Sequence, residues 1–375
     1  MKRIGLSIFL AFLTFSALSS ASADTTVIYL TSKPHQLFDG TFRNDELATD
    51  LLSSGRLGQA LTQKRVGPRT WVIDGELLDE VADMADGYKL ADEKEPAGEL
   101  IAKEWLSRLL LVTSGDQVVA LPYGNPDIAL VKRSAPSELR LYVAYGQERV
   151  AFNLNRKIST ENGVEWSAGK SRLAPLLRKV YAQNRQALTS LTTVVKAPEV
   201  TAQRAKLGIL LSPSLDEVDR KFFSFNASDG VAQTLSKLRV TSGKYQISSA
   251  TGKVPVTFIN SFNVPVKVSI KLTPLNSRVQ VSDVAILQLP ANSRVQLAIP
   301  FTVIAPGATT VLAQITNMDD EPVGPAAKLA INITIFDSKV TWFTIGAALL
   351  LFVAALTQTI RRIRKQRKPI IEDLT

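Results

Sequence analysis

The pattern of apolar and polar residues along the chain predicts two folded regions of different kinds. In residues 24–241, short apolar runs alternate with stretches whose apolar residues recur at helical spacing. The runs Val27–Leu30, Thr70–Asp74 and Gln117–Pro122 have the length of buried strands. Strands of this kind that alternate with helices are typical of a parallel sheet covered by helices. We therefore expect residues 24–241 to form an α/β domain, a class that includes partial barrels.

The same spacing predicts the other elements of this first region. Leu139–Tyr145 and Arg149–Leu154 flank Gly146-Gln147-Glu148, which indicates a β-hairpin. The apolar run Leu207–Leu211 indicates a further strand. The predicted helices cover residues 44–61, 76–84, 99–110, 172–195, 215–225 and 231–238.

The pattern of apolar and polar residues changes near residue 242. From there to residue 337, apolar and polar residues alternate in about seven short runs separated by Pro, Gly, Asn and Asp. Short alternating strands with turn residues between them are typical of an antiparallel β-sandwich. We therefore predict an immunoglobulin-like sandwich over residues 242–337.

Two longer apolar segments lie near the ends of the chain. Lys2 and Arg3 precede an apolar stretch that ends in small residues, which is the pattern of a secretory signal peptide over residues 1–23. Val340–Ile360 carries no charge and is long enough to cross a bilayer as one helix. Residues 361–375 form a basic tail, and positive charge beside a span marks the cytoplasmic side. The basic residues of this tail are Arg361, Arg362, Arg364, Lys365, Arg367 and Lys368.

These segments predict a single-pass protein of the cell membrane, with an extracytoplasmic N-terminal ectodomain and a cytoplasmic C-terminus. The chain has no cysteine, so an exported region would not rely on disulfides, which suits a bacterial envelope. The net charge is +10, but much of it lies in the leader and the tail, and the rest forms no concentrated run. Nucleic-acid binding needs such a run, so we expect no nucleic-acid partner.

Histidine chemistry is restricted by the presence of a single histidine, His35. A Ser-His-Asp hydrolase would need His35 as its base, and the Gly-x-Ser-x-Gly nucleophile motif is absent. Metal-dependent deacetylases need several His and Asp ligands. The sequence therefore predicts no metal site and no cofactor, and it predicts that His35 is an ordinary surface residue.

Asp74 and Asp127 are the candidate catalytic residues, because each follows a predicted strand. Loops at the carboxyl ends of parallel strands commonly carry the chemistry of such folds. Two carboxylates there can serve as acid and as nucleophile or base on a glycosidic bond, with Trp71, Tyr123 and Asn125 as candidate binding residues of the same cleft. The simpler interpretation is structural, because Asp before Gly often caps a helix and Asn-Pro-Asp is a common turn sequence.

The order of several short motifs resembles that of a known family. The motifs are Gly55-Arg56-Leu57, Thr70–Asp74 with Leu77-Leu78, Trp105-Leu106, Ala120–Asp127 and Val254–Thr257, followed by the span and the basic tail. In this order the chain resembles a short member of an actinobacterial family of membrane-anchored envelope proteins, known as domain of unknown function 6049. The family pattern reads P-Y-x-D-P-D where this chain has Asn125, which argues against paired acids in that loop. The resemblance implies an envelope location and no established activity.

The leading hypothesis from the sequence is a non-enzymatic, single-pass envelope protein that binds or organises cell-wall components or partner membrane proteins. The short connection between the sandwich and the span favours this hypothesis, as does the scarcity of catalytic residues. The alternative is a carbohydrate-active hydrolase that uses Asp74 and Asp127 as its carboxylate pair.

Overall fold

The structure is a computed structural model that describes residues 25–63, 67–334 and 338–366. The predicted signal peptide, residues 1–23, lies outside the described residues, as do Arg367 and Lys368 of the basic tail.

The chain divides into two compact units, each with its own core. The predicted domain boundary between residues 241 and 242 lies within the second unit and stays a prediction about independent folding. The first unit comprises residues 1–36, 40–171 and 211–215, and the second comprises residues 37–39, 172–210 and 216–375.

The first unit contains a three-stranded sheet built from the three apolar runs that predict strands. Its strands are β1 (Thr26–Leu30), β2 (Arg69–Ile73) and β3 (Gln117–Ala120), and both neighbouring pairs are parallel in the order β1-β2-β3. The last four residues of the central strand are all buried, because helices cover both faces of a parallel sheet. The helices of this unit are α1 (Glu46–Leu51), α2 (Arg56–Thr62), α3 (Gly75–Asp86), α4 (Glu99–Thr113), α5 (Ile128–Ser134) and α6 (Leu139–Asn153).

Helix α3 illustrates how the sequence builds the core of the first unit. Leu77, Val81 and Met84 recur at intervals of four and three residues, so they lie on one face of the helix, and all three are buried. They belong to the same apolar cluster as Trp71 and Ile73 of β2. The amphipathic pattern that predicts the helix therefore also predicts which of its faces meets the sheet.

Residues 139–153 form helix α6, and the predicted hairpin is wrong. The fully buried residues of α6 are Tyr142, Gly146 and Val150, whose spacing of four residues selects one helical face. A Cβ atom at Gly146 would lie 2.2 Å from the carbonyl oxygen of Leu121, the residue that follows β3. Gly146 is therefore a close-packing position, and it is not part of a turn.

Two further elements differ from the prediction. The helix expected over residues 44–61 is interrupted between α1 and α2, where a Cβ atom at Gly55 would lie 2.3 Å from the carbonyl oxygen of Thr49. Leu207–Leu211 forms a short 3₁₀-helix where a strand is predicted. Short apolar runs fit a buried helical turn and a buried strand equally well, so periodicity alone does not separate the two.

The second unit begins with three helices. They are α7 (Pro175–Val194), α8 (Pro198–Lys206) and α9 (Glu217–Ser236). Helix α7 confirms the long helix predicted over residues 172–195. Helix α9 is continuous where two shorter helices are predicted, and its buried residues include Phe223, Ala227 and Val231, which are spaced by four residues along one face.

The rest of the second unit is a β-sandwich of two sheets, and its assignment to the immunoglobulin-like class stays a prediction. The four-stranded sheet has the order β4-β6-β10-β8, and the five-stranded sheet has the order β5-β12-β11-β7-β9. The run predicted as one strand over residues 279–289 is divided, because β8 and β9 pair in different sheets. The strands are β4 (Leu238–Val240), β5 (Gly243–Ile247), β6 (Thr251–Asn260), β7 (Val266–Pro274), β8 (Val279–Val281), β9 (Val284–Leu289), β10 (Ser293–Val303), β11 (Gly307–Thr316) and β12 (Ala327–Ile333).

Helix α10 (Ser338–Gln366) contains the one candidate membrane span of the described residues, Ile345–Ile363, with a mean hydropathy of 1.3. At about 1.5 Å per residue, 19 helical residues rise through about 28 Å, close to the thickness of a hydrocarbon core. This helix is consistent with a C-terminal membrane anchor, and its candidate span Ile345–Ile363 begins and ends a few residues later than the predicted span Val340–Ile360. The helix continues through the tail residues Arg361, Arg362, Arg364 and Lys365.

Candidate functional site

The carboxyl ends of the central and last strands of the parallel sheet meet, and the predicted site residues lie there. Asp74 directly follows β2, and the loop of residues 121–127 follows β3. The two are joined by a hydrogen bond, in which the backbone N–H of Gly124 donates to Asp74 Oδ1 at 3.0 Å. The structure therefore brings Asp74 together with the loop that contains Tyr123, Asn125 and Asp127.

Asp74 is a helix cap with almost no exposure to solvent. Its Oδ1 accepts the backbone N–H of Glu76 at 3.1 Å, which caps the first turn of α3, in addition to the N–H of Gly124. Burial raises the pKa of Asp74 to about 7, although the two backbone donors act to lower it. The nearby carboxylates of Glu80 and Asp79 add to the rise. Asp74 thus holds the β2 and β3 ends together while carrying a poorly solvated charge.

Asp127 performs the equivalent role for helix α5. Its Oδ1 accepts the backbone N–H groups of Ala129 and Leu130, at 2.9 and 3.2 Å. Its Oδ2 accepts the N–H of Ser171 at 2.7 Å, so the side chain also fixes the segment that precedes α7. These contacts are the ones that the structural interpretation of the two aspartates predicts, whereas their catalytic role stays a prediction.

The three candidate binding residues have different surroundings. Tyr123 is buried, and its hydroxyl donates to Asp79 Oδ2 at 3.0 Å. Asn125 adopts a positive φ of 42°, which Asn tolerates, and its Oδ1 accepts the hydroxyl of Ser167 at 3.0 Å. Trp71 is only 1% exposed, and its indole N–H donates to Asp116, which precedes β3. Its polar edge is therefore directed to the opposite end of the sheet.

Asp79 of α3 is the centre of the polar contacts that attach α6 to this edge. Its carboxylate accepts the Nε–H of Arg149, with both oxygens at 2.9 Å, and the side-chain amide of Asn153 at 2.7 Å. Burial raises the pKa of Asp79, and the guanidinium of Arg149 opposes the rise. Because a buried carboxylate is stable only with such partners, the pair fixes the position of Arg149.

The tyrosines of this edge act as neutral hydroxyl groups near pH 7. Burial raises the pKa of Tyr145 to about 12 and that of Tyr123 well above its ordinary value. Their rings meet edge to face, with the centroids 4.9 Å apart. Through this contact, the buried loop after β3 packs against the partly exposed side of α6.

The exposed part of the edge consists of Tyr145, Arg149 and Phe152, which we name the α6 surface. The spacing of four and then three residues places all three on one face of the helix. Phe152 is 68% exposed, and the guanidinium carbon of Arg149 lies 4.6 Å from its ring centroid. An exposed aromatic ring held by an arginine, which a half-buried aspartate fixes in turn, is an arrangement suited to binding rather than to proton transfer.

His35 is buried, and the prediction that it is an ordinary surface residue is wrong. Its backbone N–H and that of Gln36 both donate to Glu80 Oε1, at 2.7 and 2.6 Å, and its Nδ1 lies 3.3 Å from Glu80 Oε2. Glu80 therefore draws the loop after β1 onto helix α3. The sequence predicts that a polar residue in a Pro-flanked loop is exposed, because it gives no sign of the contact with the distant Glu80 carboxylate.

The sequence analysis missed Asp79, Arg149 and Phe152. The spacing of Tyr145, Arg149 and Phe152 identifies the two α6 residues once residues 139–153 are taken as a helix, whereas Asp79 has no such local signal. Within the described parts of the chain, no group of three His, Asp or Glu side chains is arranged to hold a metal ion.

The comparison with protein families gives one match. The model of a family of unknown function, DUF6049, matches residues 167–369, which is more than half of the chain. The chain belongs to the DUF6049 family. The matched region of this DUF6049 member contains α7–α9, the β-sandwich and α10, and it begins after the parallel sheet.

The comparisons with individual proteins add no functional information. No curated protein matches the chain significantly. Among solved structures, the DUF6049 chain is similar to SSP-19, an MSP-domain protein like family member in Caenorhabditis elegans, at 12% identity and a TM-score of 0.20, covering 24% of this chain and 94% of that chain. It is also similar to the E. coli chaperone DraB, at 9% identity and a TM-score of 0.20, covering 26% of this chain and 55% of that chain. Similarities this low carry no argument about function.

Proposed function

We propose that this DUF6049 protein is an exported, single-pass protein of the cell envelope that acts as a non-enzymatic binding or scaffolding module. Helix α10 is its membrane anchor, the C-terminus is cytoplasmic, and the first unit recognises the partner. The α6 surface carries this proposal, because it presents an aromatic ring and an arginine to solvent in a fixed arrangement.

The chemistry of the α6 surface favours a protein partner over a cell-wall glycan. Arg and large aromatic side chains are enriched at the energetic centres of protein interfaces. The Nε–H of Arg149 is bound by Asp79, so less side-chain entropy is lost when Phe152 and Arg149 contact a partner. A partner membrane protein is therefore the preferred ligand, and a cell-wall component is the other outcome of the experiment below.

The hydrolase alternative receives no comparable support. Asp74 and Asp127 use their oxygens to cap α3 and α5 and to hold neighbouring loops, and both side chains are buried. A general acid or a nucleophile has to reach its substrate within hydrogen-bond distance. We therefore assign both aspartates a structural role in the proposed function.

Photocrosslinking of the full chain in its native membrane tests the proposal. A photoreactive phenylalanine analogue replaces Phe152, and the matched control carries the same analogue at Leu111 of α4, which is 75% exposed in the same unit. We expect a discrete crosslinked product at position 152 and none at position 111. Its yield should fall in an Arg149→Lys background, which keeps the charge next to Asp79 but loses the planar stacking group.

The nature of the product separates the two ligand classes. A product that a wall hydrolase leaves unchanged, and whose tryptic peptides include those of a second protein, identifies a protein partner. A product that a wall hydrolase returns to the mass of the uncrosslinked chain identifies a cell-wall component. Equal yields at positions 152 and 111, or no product at position 152, would show that the α6 surface is not the recognition site.

A further inference from the structure

One end of the β-sandwich is fixed close to the start of α10 by the length of the chain between them. Strand β12 ends at Ile333, and α10 begins at Ser338. The four residue-to-residue steps from Thr334 to Ser338 can span at most about 14 Å, even if fully extended. The end of the sandwich at which β12 terminates therefore lies near the membrane if α10 crosses it. We name this the span-proximal end.

Three turns share the span-proximal end with the last residue of the described sandwich. Thr334 donates its backbone N–H to Ile247 at the end of β5, at 2.9 Å. Residues 248–250 follow β5, and the carbonyl of Ala250 accepts the N–H of Val303 at 2.8 Å. The turns of residues 275–278 and 304–306 are joined in turn, because Ile304 N–H donates to the carbonyl of Arg278 at 2.8 Å.

Two large apolar side chains project from these turns into solvent. Leu275 is 62% exposed and Ile304 is 63% exposed. Their backbones are held in place, because the N–H groups of Leu275 and Ile304 both donate to carbonyl groups of the sandwich. Both apolar side chains are thus presented to solvent on ordered turns of the same end of the sandwich.

The three span-proximal turns and the loop between β11 and β12 carry different charges. Arg278 is the charged residue of the three span-proximal turns, and its guanidinium donates to the carbonyl of Pro306. The loop between β11 and β12, at the opposite end, carries the exposed acids Asp319, Asp320 and Glu321. That loop also contacts α7, through the donation of the Asn317 side-chain amide to Thr193 at 3.2 Å. The three span-proximal turns thus carry one positive residue and no acid.

We propose that the span-proximal end of the sandwich is a lipid-contacting surface that rests on the bilayer crossed by α10. Leu275 and Ile304 enter the boundary between headgroups and acyl chains, and Arg278 lies at the level of the lipid phosphates. Apolar tips flanked by a positive residue bind membrane surfaces in this manner, with the apolar groups roughly 5–10 Å deep.

This inference rests on the proposed anchoring by α10 and adds a second membrane contact to it. A span alone connects the sandwich to the membrane through one short segment, whereas the second contact fixes the inclination of the sandwich on the bilayer.

The test uses the full chain, which has no cysteine and so accepts a single labelled site. Leu275→Cys and Ile304→Cys variants carry an environment-sensitive fluorophore, and the protein is reconstituted into vesicles of phosphatidylglycerol and phosphatidylcholine. The matched control is Met318→Cys, an apolar turn position at the opposite end that is 49% exposed. We expect roughly twofold higher emission and strong quenching by nitroxide-labelled lipid at positions 275 and 304, because these probes would lie at the acyl boundary, and neither effect at position 318.

Flotation of the same vesicles separates failure of the anchor from failure of the surface contact. Protein that does not float with the vesicles overturns the anchor and this inference together. Protein that floats, with probes at 275 and 304 as water-exposed as the probe at 318, overturns the lipid-contacting surface alone. Circular dichroism spectra that match the unlabelled chain show that the substitutions leave the fold intact, so a water-exposed reading cannot be ascribed to unfolding.

Discussion

Replacing Asp74 by asparagine is expected to stabilise the first unit at alkaline pH and to lose this effect at acid pH. In the folded chain, burial raises the pKa of Asp74 from its ordinary value of 3.8 to about 7. A carboxyl group with a raised pKa binds its proton more tightly when folded. Its contribution to stability is therefore fully present below about pH 4 and is lost as the pH rises through about 7.

The magnitude follows from the same pKa values. Because one pKa unit corresponds to about 1.4 kcal/mol, the rise from 3.8 to about 7 corresponds to roughly 4 kcal/mol of unfolding free energy at pH 8. The asparagine side chain of the Asp74→Asn variant is not ionised, and its oxygen can still accept the N–H groups of Glu76 and Gly124. The new amide N–H₂ has to be accommodated in a buried position, so we expect a net gain of about 1–3 kcal/mol at pH 8.

Urea denaturation at pH 8 and pH 5 measures this effect, with tryptophan fluorescence as the probe because Trp71, Trp105 and Trp166 all lie in the first unit. The Asp74→Asn variant should unfold at higher urea than the wild type at pH 8, and the difference should shrink or reverse at pH 5. The control is Asp74→Ala, which removes the acceptor as well as the charge and should fall below Asp74→Asn at both pH values. An Asp74→Asn variant that is destabilised equally at both pH values would refute the role assigned to burial.

Three further outcomes test the packing and the site. Asp127→Ala should lower the stability by about 1–2 kcal/mol in thermal denaturation, whereas Asp127→Asn should lower it less because its oxygen still caps α5. Gly146→Ala should destabilise by about 1–3 kcal/mol, since its Cβ atom would meet the carbonyl oxygen of Leu121 at 2.2 Å, whereas Gly115→Ala, with no atom within 4 Å, should not. Phe152→Ala should change the melting temperature little, because an exposed side chain contributes within about 0.5 kcal/mol, and it should abolish co-purification of the partner with the full chain.

The helices of the first unit show where local pattern is sufficient and where it fails. Helix α3 is correct in the prediction because its apolar residues repeat with the helical period and Asp74 provides the cap. Helix α6 is missed because Gly146-Gln147-Glu148 has turn composition, although Gly146 serves a close approach to Leu121. Some glycines are needed because a distant backbone atom leaves no room for a Cβ, and others because a turn needs their conformational freedom. The sequence alone does not distinguish the two.

For the candidate site too, the sequence finds some of the residues and misses others. The sequence places Asp74, Tyr123, Asn125 and Asp127 at adjacent strand ends, and the hydrogen bond from Gly124 to Asp74 confirms that the two loops meet. The pairing of Asp79 with Arg149, 70 positions apart in the chain, has no local signature. The burial of His35 by Glu80 is missed for the same reason.

The sequence by itself determined the features that depend on neighbouring residues: the parallel strands, the β-sandwich, the apolar helix near the C-terminus and the membership in DUF6049. These features follow from periodicity, from apolar length and from the order of motifs, all of which are local or additive along the chain. Only the tertiary structure decided which polar groups are buried together, which face of α6 is exposed and which end of the sandwich lies beside the span. Those properties depend on contacts between residues far apart in sequence. Such contacts bury Asp74 and raise its pKa, and they leave Phe152 exposed.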